Sequence, residues 1–169
     1  AIAAGVNQYP PARGIPALRK AIVEHSHRHY GLAYDADTEV TVTAGATEAL
    51  AAVFLAFVNP GDEVIALEPF YDSYSASVEM AGGRIVGVGV FGPDFVLDLD
   101  ELHAAVSPRT KMILVNSPHN PTGAVLGRNE LAAIAALAIE HDLLVVCDEV
   151  YEHLLFDDVE HLPLASFPG

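Results

Sequence analysis

The chain contains the stretch Val145-Val146-Cys147-Asp148-Glu149-Val150-Tyr151, preceded by Leu143-Leu144. The run from Leu143 to Cys147 is short, apolar and continuous, which is typical of a strand buried on both faces of a parallel sheet. It ends abruptly at Asp148. Open α/β sheets bind ligands at the carboxyl ends of their strands, so this carboxylate lies where a site is expected. A strand-end aspartate also caps turns, and Asp148 alone does not separate the two interpretations.

On both sides of this strand, strand-like and helix-like patterns alternate along the chain. The patterns predict strands at residues 39–43, 63–67, 84–90, 111–115 and 143–147, and helices at 15–30, 47–58, 71–80, 98–106 and 129–141. Strands that alternate with helices indicate βαβ units. We therefore predict an α/β fold of three α-β-α layers around a mostly parallel sheet.

The charge of the chain restricts its partners. The net charge is -15, from 23 acidic residues against 8 lysines and arginines. Nucleic acid binding requires a cationic surface, so a nucleic acid partner is not expected. Anionic membrane surfaces are disfavoured for the same reason. No apolar run reaches the roughly 18 residues of a spanning helix, which also argues against a membrane protein.

Size and cysteine usage indicate the setting of the protein. A chain of 169 residues, half of them hydrophobic, is long enough for one domain with a substantial core. No leader suggests export, and the single Cys147 permits no internal disulfide, so we expect a cytoplasmic location. The chain starts without Met and ends in a predicted loop, from which we expect a piece of a longer chain.

Four clusters directly follow predicted strands: residues 44–48, 68–74, 116–123 and 148–151. In the first, Gly45 permits a tight turn, and the backbone N–H groups of Ala46 and Thr47 lie at a helix N-terminus that favours an anion. An N-cap by Thr47 explains the same pattern without a ligand. The chain has neither GxGxxG nor a Walker lysine, so dinucleotides and nucleoside triphosphates lose their usual support.

The other clusters offer groups for a flat polar ligand. Phe70 and Tyr71 present ring faces, although aromatic residues in this position also serve core packing. Asn120 lies in a loop stiffened by two prolines, which fixes the direction of its amide, and an ordinary Asn-Pro turn is the alternative.

Histidines invite a metal hypothesis, which we do not favour. His25 and His29 share one face of the predicted helix at a spacing that suits zinc. The sequence nearby supplies no evident third ligand, so a solvated polar face is the better interpretation and no metal site is predicted. For His119, packing within its loop is preferred to contact with a substrate.

The motifs TAGATEAL, EPFYDSY, NSPHNPTG and DEVYEHL occur in this order, with Asp148 lying 28 residues after Asn120. In this order and spacing the chain resembles the fold-type-I pyridoxal-phosphate enzymes, specifically the class I/II aminotransferases. The resemblance covers essentially the whole chain. It is closest to the bacterial N-succinyldiaminopimelate aminotransferase branch, with methionine and kynurenine/glutamine aminotransferases as near neighbours.

The resemblance implies contacts of individual residues with pyridoxal 5'-phosphate. Asp148 would pair with the pyridine nitrogen and favour the protonated ring, which acts as an electron sink. Asn120 and Tyr151 would both hydrogen-bond the phenolic oxygen of the ring. Tyr71 would stack on the ring face.

The same resemblance implies how the phosphate and the substrate are held. The amides of Ala46 and Thr47, with the Thr47 hydroxyl, would bind part of the phosphate. Tyr9 would reach the phosphate of the partner subunit, which implies a homodimer. Residues 5–9 would also line the substrate pocket.

The family's Schiff-base lysine finds no match. The chain has only Lys20 and Lys111, in a predicted helix and at the start of a predicted strand. We therefore expect residues 1–169 to be a cofactor-binding large domain, truncated before that lysine and a small C-terminal domain. No catalytic residue is assigned in this fragment, which alone is expected to bind the cofactor weakly and not to transaminate.

The implied reaction moves an amino group between an amino acid and a 2-oxo acid. One implied pair is N-succinyl-LL-2,6-diaminopimelate with 2-oxoglutarate, a step of lysine biosynthesis. Two alternatives stay open. A carbon–sulfur β-lyase could use the same clusters, because these serve the cofactor and do not determine the product. A truncated relative could also serve as a non-catalytic interaction module.

Overall fold

The computed structural model describes residues 2–5, 9–93 and 95–168. The chain divides into two compact units, Ala1–Gly45 and Ala46–Gly169. Among the described residues, no helix combines the length and the apolar character needed to cross a membrane.

The first unit is built around one long helix. Helix α1 spans Pro16–Tyr30, as predicted, and ends at Gly31, whose φ of 70° is the left-handed conformation common at helix ends. Arg19 of α1 is buried, forms an ion pair of 3.0 Å with Asp37 and donates a hydrogen bond to the Ala36 carbonyl. These contacts hold the segment after the helix against α1.

The predicted strand at residues 39–43 is wrong, because this segment has no strand structure. Residues 36–39 form a turn in which Glu39 N–H donates to the Asp35 carbonyl, and Val42 N–H donates to the Arg13 carbonyl. A β-branched sequence favours an extended backbone, but a strand also requires a hydrogen-bonded neighbour. No ladder of that kind forms along these residues in the described part of the first unit.

The second unit carries the sheet and the remaining helices. Its elements, in chain order, are α2 Ala46–Phe57, β1 Glu63–Glu68, α3 Ser73–Met80, β2 Arg84–Phe91, β3 Val96–Leu97, α4 Leu99–Ala104, β4 Thr110–Asn116, α5 Arg128–Glu140 and β5 Leu144–Asp148. The predicted helices and strands of this unit are confirmed to within about two residues at most boundaries. The short β3 was not predicted.

The sheet has five strands in the order β3-β2-β1-β4-β5. Pairs β1–β2, β1–β4 and β4–β5 are parallel, and only the short β3 runs antiparallel, against β2. The predicted α/β fold with a mostly parallel sheet is therefore confirmed.

Alternate residues of the central strands enter two separate cores. Val64 and Ala66 of β1 pack in the core that contains Phe54 of α2 and Val78 of α3. On the opposite face, Ile65, Leu67, Ile113 and Val115 pack with residues of α4 and α5, namely Leu102, Leu131, Ile134 and Leu137. Two helical layers therefore cover the sheet, as predicted for three α-β-α layers.

Strand β5 is less buried than its apolar sequence predicts. Its residues are half-buried and Leu144 is exposed, whereas β1 is buried from Glu63 to Leu67. The difference follows from position, because β5 ends the strand order and pairs with β4 alone. Within residues 1–169, the prediction that residues 143–147 are buried on both faces is therefore wrong.

The amino edge of the sheet is held by a buried carboxylate. Glu63, 1% exposed, accepts hydrogen bonds from Ser107 at 2.7 Å, Arg84 at 2.7 Å and Arg109 at 2.5 Å. The Ser107 hydroxyl and the two guanidinium groups hold the pKa of Glu63 below its ordinary value, against the opposing effect of burial. This network joins residues at or just before the start of β1, β2 and β4, at the amino ends of these strands.

Candidate functional site

The strand order places a topological switch point between β1 and β4. From β1 the chain crosses through α3 to β2 on one side, and it later enters β4 on the other side of β1. Parallel strands end at the same edge, so the loops after β1, β4 and β5 meet at their carboxyl ends. Ligands bind outside the strand ends at such points in open α/β sheets.

A cavity of about 250 Å³ lies at this edge. Its lining consists of Ala46, Thr47, Leu50, Tyr71, Tyr74, Asn116, Asn120, Asp148, Val150 and Tyr151. All the site residues that the sequence predicts within the second unit are among them: Ala46, Thr47, Tyr71, Asn120, Asp148 and Tyr151. The structure therefore brings together residues that are more than 100 positions apart in the sequence.

One end of the cavity is the N-terminus of α2. Ala46 and Thr47 are the first two residues of this helix, and both are exposed. The first N–H groups of a helix have no partner within the helix and carry a partial positive charge, which favours an anion. Because Thr47 lies inside the first turn, the alternative in which it is the N-cap residue does not describe this helix.

Asp148, the last residue of β5, is held from several directions. The Tyr74 hydroxyl donates to Oδ2 at 2.7 Å, and the Val150 N–H donates to Oδ1 at 3.2 Å. The Asp148 backbone carbonyl accepts from the Asn116 side chain at 2.9 Å and from the Ser117 N–H at 3.2 Å. Both the carboxylate and its backbone are therefore fixed at the cavity wall.

The tyrosine beside this carboxylate stays protonated. Tyr74 is 2% exposed and belongs to the core beneath α2 and α3. Burial, followed by the hydrogen bond to Asp148 and its negative charge, raises the pKa of Tyr74 far above its ordinary value. The phenol is consequently a donor, and never an anion, toward the Asp148 carboxylate at physiological pH.

Aromatic rings form one wall of the cavity. The rings of Tyr71 and Tyr74 meet edge to face, with centroids 5.9 Å apart and planes at 88°. Phe70 lies against the same Tyr74 ring at 6.4 Å. Tyr71 is 47% exposed, so part of its side chain is open to a ligand while Tyr74 is held in the core.

The loop after β4 brings Asn120 into the cavity lining. The Asn120 backbone N–H donates to the Asn116 Oδ1 at 2.7 Å, which ties the loop to the end of the strand. His119, next to it, is buried and its Nδ1 lies 2.7 Å from the Thr122 hydroxyl. Burial lowers the pKa of His119 and favours the neutral ring. The burial of His119 and its contact with Thr122 agree with the loop-packing interpretation.

Sequence reasoning missed four lining residues: Leu50, Tyr74, Asn116 and Val150. Tyr74 and Asn116 belong to clusters that the sequence singled out, but nothing assigned them a contact. A usable signal existed for Tyr74, because it lies three residues after Tyr71 where a helix was predicted, and such residues share a helix face. For Asn116 the signal was its position at a strand end.

Other candidate residues lie elsewhere. Tyr9, in the first unit, is fully exposed. Of residues 5–9, residues 6–8 fall outside the described part of the chain. Lys20 belongs to α1, and Lys111 lies near the amino end of β4; neither lines the cavity. The His25 and His29 rings are 4.6 Å apart, which agrees with their predicted common face.

The lining of the cavity specifies a class of ligand. A helix N-terminus with a hydroxyl suits an anionic group, a half-exposed aromatic ring suits a flat face, and a carboxylate suits a protonated nitrogen. The Asn120 amide and the Tyr151 phenol add neutral hydrogen-bonding groups. A planar heteroaromatic ring with an anionic arm has this combination of properties.

Comparison with known proteins agrees with this chemistry. The family described as "Aminotransferase class I and II" matches residues 1–167. The chain is 58% identical over 171 residues to "Probable N-succinyldiaminopimelate aminotransferase DapC" of Mycobacterium tuberculosis, covering all of this chain and 43% of that protein. It is 42% identical over 167 residues to "Methionine aminotransferase" of Escherichia coli K12, covering 99% of this chain and 43% of that protein.

A solved structure gives the same result for the fold. The structure of N-succinyldiaminopimelate aminotransferase from Mycobacterium tuberculosis superimposes with a TM-score of 0.97 at 58% identity, covering 99% of this chain and 44% of that one. The chain thus spans less than half the length of the relatives that it matches.

The buried hydrogen bond between Tyr74 and Asp148 leads to a prediction about stability. Tyr74→Phe removes a donor from a carboxylate and should lower the free energy of unfolding of the full-length protein by about 1.5–3 kcal/mol. Tyr71→Phe is the matched control, with an expected change within about 0.5 kcal/mol. Denaturant unfolding at neutral pH measures both.

The pH dependence gives this prediction a sign. Because the Tyr74 pKa is raised on folding, its contribution to stability is fully present below its ordinary value of 10.0 and declines as pH rises above it. The Tyr74→Phe protein should lack this part of the alkaline loss of stability. Equal alkaline curves for the two proteins would contradict the assignment.

Proposed function

Because the chain belongs to the class I and II aminotransferase family, whose members depend on pyridoxal 5'-phosphate, we propose that the complete protein transfers an amino group between an amino acid and a 2-oxo acid. The observation that carries this proposal is the meeting of Asp148, Asn120, Tyr151 and Tyr71 at the cavity whose rim is the N-terminus of α2. When bound, the cofactor supplies an electron-accepting ring that stabilises negative charge at the α-carbon of an amino acid.

The residues present fit this cofactor. Asp148 would face the pyridine nitrogen, since a carboxylate within contact distance favours the protonated form of a basic nitrogen. Its orientation for that contact is already fixed by Tyr74 and by the Val150 N–H. The carboxylate can therefore hold the ring proton without first reorganising, which makes its electrostatic effect larger.

Two neutral groups would bind the phenolic oxygen of the ring. Asn120 and Tyr151 lie in the loops after β4 and β5, and both line the cavity together with Asp148. Hydrogen bonds from an amide and a phenol stabilise a phenolate without adding a charge. Tyr71 would cover the ring face, because its side chain is half exposed while Tyr74 supports it from the core.

The phosphate arm would bind at the N-terminus of α2. The backbone N–H groups of Ala46 and Thr47, with the Thr47 hydroxyl, are suitable donors for a phosphate oxygen. Among the described residues, no arginine or lysine lines the cavity, so most of the phosphate charge would need to be balanced by groups from other parts of the protein. We propose that Tyr9 of a partner subunit is one of the phosphate contacts, which makes the enzyme a homodimer.

We further propose that residues 1–169 are the cofactor-binding part of a longer enzyme. The relatives it matches are more than twice as long. The lysine that moves the α-proton as acid and base would come from outside these residues, because Lys20 and Lys111 do not line the cavity. A cytoplasmic location fits a chain whose one cysteine is a free thiol, with a pKa that burial raises to about 12.

The substrate pair that we propose is N-succinyl-LL-2,6-diaminopimelate with 2-oxoglutarate, in lysine biosynthesis. This substrate pair is supported by the 58% identity to the probable N-succinyldiaminopimelate aminotransferase of Mycobacterium tuberculosis, against 42% identity to the methionine aminotransferase of Escherichia coli. A panel of amino donors, offered to the full-length protein with 2-oxoglutarate, tests the substrate by glutamate formation. Release of ammonia and pyruvate, without glutamate, would indicate a lyase and contradict the proposed reaction.

Asp148→Asn in the full-length enzyme should lower turnover by about 10²–10³-fold, the typical effect of removing a preorganised electrostatic group. The change keeps the shape of the side chain and removes the charge that favours a protonated ring. Asp142→Asn, in an exposed turn after α5, is the matched control and should keep native turnover. Near-native turnover of the Asp148→Asn enzyme would show that this carboxylate does not serve the cofactor.

Residues 1–169 alone should not catalyse multiple turnovers with pyridoxal 5'-phosphate, an amino donor and 2-oxoglutarate. No lysine lines the cavity in the described part of the chain, and the donors described at its phosphate end are amides and a hydroxyl. Product formation beyond one equivalent of protein would contradict the proposed division of the enzyme.

A further inference from the structure

Asn116 is a buried polar residue to which the proposed function gives no part. It is the last residue of β4 and is 3% exposed. Its side chain makes two hydrogen bonds: Nδ2 donates to the Asp148 carbonyl at 2.9 Å, and Oδ1 accepts from the Asn120 N–H at 2.7 Å. Asn116 therefore contacts the backbones of two proposed cofactor-binding residues.

The position of Asn116 follows from strand register. Asn116 and Asp148 are the last paired residues of the parallel ladder between β4 and β5. Just beyond the last pair of a ladder, backbone groups require other partners. The Asp148 carbonyl receives two donors here, the Asn116 amide and the Ser117 N–H. The Asn116 side chain thereby adds a hydrogen bond between β4 and β5 at the last pair of their ladder.

The residue type matters, because one short side chain supplies both a donor and an acceptor. Aspartate would keep the acceptor for the Asn120 N–H and, when ionised, would lack the donor for the Asp148 carbonyl. Leucine has a similar size and offers neither group. A buried backbone group that loses its partner is destabilised, so the loop and the strand end would rearrange.

We propose that Asn116 is a positioning residue that fixes the Asn120 amide relative to the Asp148 carboxylate. This inference rests on the proposed function, in which those two groups contact the phenolic oxygen and the pyridine nitrogen of one ring. Both polar ends of Asn116 are bound to backbone, so it acts through its neighbours. Displacing one group relative to the other would weaken binding of the cofactor and alter the ring's titration.

The test uses the full-length enzyme with Asn116→Leu, Asn116→Asp and the control Asn129→Asp, an exposed change in the first turn of α5. Two properties are measured besides turnover. One is the Kd of the apo form for pyridoxal 5'-phosphate, and the other is the pH at which the visible absorption of the bound cofactor changes. Asn116→Leu should raise the Kd at least about 10-fold, which corresponds to about 1.4 kcal/mol and is the size expected when buried backbone groups lose a hydrogen-bond partner.

A double-mutant cycle separates positioning from a general loss of packing. If Asn116 acts in part through Asn120, the rise in Kd caused by Asn116→Leu should shrink by at least about 3-fold in the Asn120→Ala background, since coupled sites are not additive. The pH at which the visible absorption of the bound cofactor changes should also shift in Asn116→Leu and stay the same in Asn129→Asp. Additive effects of Asn116→Leu and Asn120→Ala on the Kd, with no change in the pH at which the visible absorption changes, would overturn the proposal.

Asn116→Asp decides the matter if the leucine variant does not fold. Its carboxyl group can donate to the Asp148 carbonyl only when protonated, so its defect in Kd relative to Asn129→Asp should shrink as pH falls. A defect that is absent or independent of pH would contradict the positioning role.

Asp148→Asn, measured in the same series, distinguishes a failure of the proposed function from a failure of the inference about Asn116. If it leaves unchanged both the Kd and the pH at which the visible absorption of the cofactor changes, the proposed function itself fails. If it changes them while the Asn116 variants do not, only the inference about Asn116 fails.

Discussion

The parallel pairing of β4 with β5, which sets Asn116 opposite Asp148, is the constraint on which the site depends. It places the ends of two strands at one edge, beside β1, where the strand order reverses direction. The Asn116 side chain then donates a hydrogen bond beyond the end of the ladder, because the carbonyl of Asp148 still requires donors. The functional geometry is therefore a direct continuation of the backbone hydrogen bonding of the sheet.

The cavity combines charge from secondary structure with charge from one ionised side chain. A partial positive charge comes from the N-terminus of α2, and the carboxylate of Asp148 provides the negative charge. Tyr74 supports that carboxylate with a neutral donor, which burial keeps protonated. The chain has a net charge of -15, and the described lining of the cavity offers an anionic cofactor a helix N-terminus without a cationic side chain, so further cationic groups are expected from outside these residues.

The sequence predicted the site well where local pattern and chain order determine it. Parallel strands are apolar runs. Asp148 ends one such run and Asn120 lies in the loop after another, so their convergence follows from βαβ order. The prediction failed for residues 39–43, because an extended sequence does not reveal whether a partner strand is present. It also overestimated the burial of β5, since edge position depends on the whole sheet. The contacts of Tyr74 and Asn116 required tertiary register, which no local pattern contains.

The protonation state of the bound cofactor ring shows most directly whether the Asp148 carboxylate faces the ring nitrogen. Nitrogen-15 NMR of the full-length enzyme, loaded with cofactor labelled at the pyridine nitrogen, reports that state without relying on turnover. We expect the chemical shift of a protonated pyridine in the native enzyme and that of an unprotonated one after Asp148→Asn. The same chemical shift in both proteins would contradict the contact between Asp148 and the ring nitrogen.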